Sequence, residues 1–499
     1  MLDVATGFTM HLSFRRVLSA ITVLLAPALA HGAIPAAESQ ALANLYSATG
    51  GASWTHKNNW LGGAGTECTW YGITCDAGTT HVVGIVLSSN NLNGTLSDLS
   101  PLTALQTLNI SGNRLLTGQL DSLAGLAELR VLSASSCALT GSVPALSNFP
   151  HLSSIRLSGN ALGGALPNPT GLQELTTAAF DLNQFSGTLP AWSNVPLLNN
   201  VNVAANQLTA PLPSFAGMPA LQILAIDRNP FNAPLPDLSG MIALTSFSAT
   251  QIGATGSIPV MTGLPNLDYY SVGSNQLTGS FPAYTSAFHP NTIDVSSNQL
   301  TGALPDLSQF SVFTLRASHN QLSGAIAAYP LGGMNILDVS YNQLSGALPP
   351  WTNVTVWSRI DLSHNQFSGA VPSFAPLTSL FEVDISHNQF SGAAPQIGNN
   401  ATLEVYDISF NQLTGTLPQL PNPNQLVIFH VNDNMLLGPV PDIHGMWLPQ
   451  YHQSQLCPND LDPHSTGQTQ VDWSKATTST VQKPWYQGCS DWIFVEGFQ

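Results

Sequence analysis

Charged side chains are scarce in this chain. Asp, Glu, Lys and Arg together make up 8% of its 499 residues, against about 25% in ordinary globular proteins. The shortage falls hardest on bases, with 11 Lys and Arg against 27 Asp and Glu and a formal net charge of −16. Without a basic footprint to neutralise phosphates, a nucleic-acid partner is excluded, and the same deficit disfavours an anionic membrane surface while leaving basic proteins as fitting partners. Beyond the first thirty residues no apolar run is long enough to cross a bilayer core of ~30 Å, so no membrane span is expected. Sequence signatures of catalysis are also missing: there is no Gly-x-Ser-x-Gly, no His-Glu-x-x-His, no phosphate-binding loop and no kinase segment. The thirteen His are scattered. No enzyme, cofactor or metal site is expected.

What the chain does have is repetition. Residues 360–372 read Ile-Asp-Leu-Ser-His-Asn-Gln-Phe-Ser-Gly-Ala-Val-Pro, and altered copies of this phrase occupy most of the sequence. The asparagine recurs at Asn90, Asn113, Asn160, Asn183, Asn206, Asn229, Asn275, Asn298, Asn320, Asn342, Asn365, Asn388, Asn411 and Asn434, with Cys137 and Thr250 read at two further anchor places. From 90 to 434 in fifteen steps the mean step is about 23 residues, inside the 20 to 29 window of leucine-rich repeats. Thr250 implies steps of 21 and 25 around it, a local slip that restores itself.

Each position of the phrase has a physical reason. Apolar residues five and three places before the Asn and two after it, as at Ile360, Leu362 and Phe367, give a short strand with one side turned inward. A single coil cannot bury that side alone, so coils must stack into a parallel sheet with a continuous core. A buried Asn amide can satisfy the backbone groups of the turn leaving the strand, which predicts a shared polar ladder. Gly and Pro, as at Gly369 and Pro372, then predict a return of extended, turn or 3₁₀ character.

The phrase Leu-x-x-Asn-x-Leu-[Ser/Thr]-Gly-x-[Leu/Ile/Val]-Pro resembles the plant-type extracellular leucine-rich repeat family, which includes receptor ectodomains and polygalacturonase-inhibiting proteins. The resemblance covers roughly residues 45–446. It implies an α/β-type solenoid dominated by β and irregular coil: a right-handed superhelix of about sixteen 23-residue repeats, with a parallel concave sheet and a cap at each end. The repeated letters hold the coil together and therefore specify fold far better than function.

Four segments follow. Residues 1–30 carry Arg15 and Arg16, an apolar run from Val17 to Leu29 and Ala28-Leu-Ala30, which reads as a signal peptide and places the protein outside the cell or at its surface. Residues 31–81 hold a predicted helix from Ala36 to Gly50, Trp54, Trp60, Trp70, Cys68 and Cys75 and look like the family's N-terminal cap. Residues 82–446 are the array. Residues 447–499, with Trp447, Trp473, Trp485, Trp492, Cys457 and Cys489, are expected to be the C-terminal cap. In an exported protein the pairs Cys68–Cys75 and Cys457–Cys489 should be disulfides, stabilising by roughly 2.5 and 3.7 kcal/mol, with zinc as the rival reading of the first pair. Cys137 is expected to be a buried thiol.

Candidate binding residues lie on the concave strands. The place four before the Asn carries Asp294, Arg316, Asp338, Asp361, Asp384 and Asp407, and the place one before it carries His319, Tyr341, His364, His387 and Phe410. An acidic and aromatic strip of this kind suits a protein ligand, a basic one in particular, though the repeat's own consensus wording accounts for much of the Asp column. Sequons at Asn93, Asn109, Asn353 and Asn400 are candidate glycosylation sites. The function expected is recognition of a macromolecule, a protein first, by the concave face of an exported non-enzymatic protein. Polysaccharide binding is the alternative. Ice binding comes third, suggested by the spacing of Thr140, Ser186, Thr278, Thr301, Ser368 and Thr414. The sequence leaves the oligomeric state open.

Overall fold

The computed structural model describes residues 33–215, 217–281, 290–305, 312–326, 334–350, 356–420, 425–443, 454–462 and 467–477. The signal segment, Cys489, Asn353, Trp447, Trp485 and Trp492 lie outside the described residues.

Alternation of inward apolar residues makes each coil begin with a short strand, such as Arg359–Asp361, whose middle residue Ile360 is fully buried. Successive coils pair in parallel and in register, Arg359 with Glu382, Ile360 with Val383 and Asp361 with Asp384. These strands run from Val82–Val86 to Ile428–His430 and, with the antiparallel cap strand Ile73–Cys75, form one 17-stranded sheet. After most anchors a second strand forms, Gln366–Ala370 in the opening phrase. These lateral strands make a six-stranded sheet from Asn93–Thr95 to Gln207–Thr209 and a ten-stranded sheet from Thr255–Ser257 to Asp460–Leu461. Pro230 explains the interruption, because it stands where most coils have Gln and has no N–H to donate. Only an isolated bridge, Pro234 to Thr255, crosses that coil. Among the described residues the α-helices are Ala36–Ala48 and Gly467–Thr477, both in the caps.

The asparagines form a ladder that sews strand to turn and coil to coil. Asn365 Nδ2 donates to Leu362 O at 3.1 Å and Ser363 O at 3.1 Å in its own coil and to Val339 O at 2.9 Å in the previous one. Its Oδ1 accepts the Leu344 N–H at 2.9 Å. The bond back to the previous coil recurs at Asn113, Asn160, Asn183, Asn206, Asn229, Asn275, Asn298, Asn320, Asn342, Asn388, Asn411 and Asn434. Asn90, the first rung, donates instead to His56 O at 2.8 Å in the cap. Cys137 occupies its rung as a buried free thiol, with Sγ 3.3 Å from Ile110 O, and burial raises its pKa.

The register corrects one sequence reading. Ala225 pairs with Ser248, and Ser248 with Ser271, so the outward column passes through Ser248 and not Ser246. The anchor place is therefore Ile252 and not Thr250, with even steps of 23 on both sides and no slip. Ile252 is fully buried. Thr250 deceived because it is polar; its N–H and Oγ1 both bond Asp227 Oδ1, at 2.7 and 2.6 Å.

Caps cover both ends of the core. At the N-terminus Tyr46, Trp54, Trp60 and Trp70 pack ring on ring at centroid separations of 4.8 to 5.6 Å, beside the Cys68–Cys75 disulfide. At the other end the ladder gains a rung beyond the last repeat read from sequence. Asn459, in Leu456-Cys-Pro-Asn-Asp-Leu461, donates to Val431 O at 2.7 Å and Leu456 O at 2.8 Å and accepts the Leu436 N–H at 3.0 Å. Cys457 is disulfide-bonded. Buried Trp473 closes this end, its ring 5.6 Å from Phe429 and its Nε1 donating to Pro441 O at 2.8 Å.

Candidate functional site

In-register pairing turns sequence columns into physical ones. Asp338, Asp361, Asp384, Asp407 and His430 are neighbours on five adjacent strands. Each Asp bends to accept from the Ser two places on: Oδ1 of Asp361 takes Ser363 Oγ at 2.8 Å and its N–H at 3.2 Å, and Oδ1 of Asp407 takes Ser409 at 2.6 and 3.0 Å. This local turn draws the carboxylates down onto the sheet, and Asp361 is only 8% exposed. The column is therefore not a row of free anions. Arg359 Nη2 lies 3.3 Å from Asp361 Oδ2 and 3.4 Å from Glu382 Oε1, and His430 Nδ1 lies 2.8 Å from Asp407 Oδ2.

Titration follows from that packing. Burial, reinforced by the charge of Asp407, pushes Asp384 up to about 7. Burial also raises Asp361, with Asp338 adding to the effect. Burial alone would raise Asp407 too, but hydrogen bonds from His430 and Ser409 hold it below its ordinary value. His364 is lowered by burial and by its neighbour His387. Among the described residues, no three or more His, Cys, Asp or Glu are grouped to hold a metal ion.

Beside the carboxylates runs a column of rings. His319, Tyr341, His364, His387 and Phe410 stack face to face, with centroids 4.3, 4.0, 4.1 and 4.1 Å apart and planes within 16° of parallel. All five residues have positive φ, from 51 to 53°, because this is the tight turn between the concave and lateral strands. Sequence reading found the column but not the stack, nor Arg359 and Glu382, which enter two places before the Asp column. Next to the rings, on the lateral sheet, Gln321, Gln343, Gln366, Gln389 and Gln412 form an exposed column. The Ser/Thr positions Thr140, Ser186, Thr278, Thr301, Ser368 and Thr414 sit two residues further along those strands. Of the sequons, Asn93 is exposed and Asn109 half-buried on the concave sheet. Asn400 is 5% exposed, and its Nδ2, the atom a glycan would occupy, donates to Leu377 O at 2.7 Å.

The Leucine Rich Repeat family model matches residues 104–126, one full coil of this ladder. The fold is that of a leucine-rich repeat solenoid. Over 84 residues the chain is 37% identical to Receptor-like protein kinase BRI1-like 3 of Arabidopsis thaliana, a match spanning 16% of this chain and 7% of that one. The plant peptide hormone receptor RGFR1, solved in complex with RGF2, superposes with a TM-score of 0.69 at 26% identity, over 79% of this chain and 65% of the receptor chain. The ectodomain of the Arabidopsis receptor kinase HAESA, solved with an N-terminally extended IDA peptide, gives 0.65 at 25% identity over 85% and 78%. Among the described residues no helix is long and apolar enough to cross a membrane.

Proposed function

We propose that this leucine-rich repeat protein is an exported, non-enzymatic binding protein whose concave face recognises a protein ligand through the strip of Asp294, Arg316, Asp338, Asp361, Asp384 and Asp407 and the adjoining rings. The observation that carries this reading is the exposed ring stack. Five aromatic side chains stand in consecutive left-handed turns, where an L residue costs roughly 1–2 kcal/mol, yet Tyr341 and Phe410 remain 45% and 42% exposed. Aromatic edges next to carboxylates are the composition of protein-binding surfaces. The solved relatives named above were crystallised with peptides, and the Cys68–Cys75 disulfide suits an oxidising, extracellular setting. A basic ligand remains the first choice, although Arg359 and His430 already compensate part of the acidity, which moderates the salt dependence of binding.

Polysaccharide recognition is the second reading, and the ring geometry bears on it. Sugars stack on ring faces, and three of the five rings, Tyr341, His364 and His387, have both faces covered by neighbours. Affinity capture from the source organism's extracellular fluid tests the choice, using the wild type beside Tyr341→Ala/His387→Ala. A protein retained by the wild type and lost by the double variant is expected. Retention of glycan alone, or a partner indifferent to the double change, overturns the proposal.

A further inference from the structure

Resting on that reading, we propose that the N-terminal end of the ring stack is a subsite for an arginine side chain of the protein ligand. Rings 4.0 to 4.3 Å apart leave no room for a planar group between them, since each aromatic contact already takes ~3.5 Å. Only the terminal faces can accept one. Beyond Phe410 the same place holds Asp433, whose carboxylate bonds Asn432 Nδ2. Beyond His319 it holds Ser297 and then Ser274, both exposed and both in the same left-handed turn, with φ of 53 and 55°. A long side chain returns only at Gln251, one coil further. The coils stay in step through this stretch, Asn298 N–H donating to His319 O and Asn275 N–H to Ser297 O, each at 3.1 Å. The result is a trough two coils long, about 10 Å at strand spacing, with the outer face of His319 as its end wall.

The side of the trough carries charge. Gly273 stands where the adjoining coils have Thr250 and Ser296, and a Cβ there would come within 3.1 Å of Asp294 Oδ1 and 3.2 Å of Ser296 Oγ. Glycine therefore leaves the Asp294 carboxylate room to lie over it. Oδ1 accepts the N–H and Oγ of Ser296 at 3.0 and 2.6 Å, while Oδ2 has no partner among the described residues. Arg316 follows Asp294 in the column, yet no ion pair joins them. A free ring face beside a half-satisfied carboxylate selects a flat cation. Guanidinium stacks on a ring and presents a fork of N–H groups to a carboxylate; an ammonium cannot lie flat on the ring, and an aromatic group offers Asp294 no charge.

The test uses the full-length protein and the peptides Ac-Gly-Ser-X-Ser-Gly-amide, with X as Arg, Lys, citrulline or Phe, followed by saturation-transfer NMR and titration. The arginine peptide should bind at least about threefold tighter than the other three, the scale of an exposed cation–π contact. His319→Ala and Asp294→Asn should each remove that margin. Ser297→Trp should abolish binding by filling the trough, in a turn where Tyr341 and Phe410 show that the backbone accepts large rings, and its unchanged thermal midpoint checks the fold. Arginine binding no better than citrulline, or binding unaffected by Ser297→Trp in folded protein, overturns the subsite. A captured protein partner indifferent to Ser297→Trp sinks the subsite but leaves the concave reading intact. Arginine-selective, Ser297-dependent peptide binding with no protein partner does the reverse.

Discussion

At the scale of single residues, the ladder and the acid column act in opposite directions. Asn298 makes three donor bonds, to Val272, Val295 and Ser296 carbonyls at 3.0 to 3.1 Å, and accepts Leu277 N–H at 3.0 Å. Asn298→Ala leaves those groups unsatisfied and should cost on the order of 1–3 kcal/mol, read as a lower urea midpoint; an unchanged midpoint would refute the role. Asp384 destabilises. Its folded pKa of about 7 lies above the unfolded value of 3.8, so its contribution is most favourable below pH 4 and is lost as pH rises through 7. Between pH 6.5 and 8 that amounts to roughly 1 kcal/mol by linkage. Wild-type protein should thus melt lower at pH 8 than at pH 6.5, and Asp384→Asn, which still accepts from Ser386, should flatten the difference. Below pH 6.5 the lowered pKa of His364 works the other way, since its stabilising effect is lost as pH falls. Residue identity alone announced the Asn role at fourteen places. It misled at Thr250, where a polar letter imitated an anchor, and it passed over Asn459, though Leu456, Asn459 and Leu461 repeat the Leu-x-x-Asn-x-Leu spacing.

Among the elements, the turn between concave and lateral strands is where the structure adds most to the sequence. Its demand for positive φ is met by Ser, Gly, Leu, Ala, Arg and Gln in earlier coils and by rings only from His319 to Phe410. Spacing along one coil could locate that column, but stacking depends on the register between coils, which no single repeat encodes. The burial of the Asp column escaped for a similar reason: the Ser two places on reads as filler until its hydroxyl is seen holding the carboxylate down. The stack's own contribution can be isolated. His387→Gly and Ser297→Gly both relieve a left-handed L residue and both loosen the unfolded chain, so these terms nearly cancel between them. Their difference in stability should be about 0.5–1.5 kcal/mol against His387→Gly, the scale of aromatic pairing. Equal effects would mean that the rings merely lie beside one another.

For the whole molecule, a quasi-linear array is as cooperative as its weakest interface. The fold class and the parallel sheets were legible in a 23-residue rhythm, because that rhythm is what stacks. The C-terminal closure was not, because its last rung comes 25 residues after Asn434 and lacks the Gly and Pro that mark its predecessors. Cysteine chemistry checks the assignment from end to end: alkylation under denaturing, non-reducing conditions should place one label per chain, on Cys137, whereas a label on Cys457 would contradict its disulfide. The coil of Asn229 matters in another way. The concave sheet passes through it unbroken while the lateral sheet stops on either side, leaving the isolated Pro234–Thr255 bridge as the lateral strand pairing there among the described residues. A ligand long enough to touch both arcs would therefore cross the array where its lateral wall has the fewest strand pairings to fix one coil against the next.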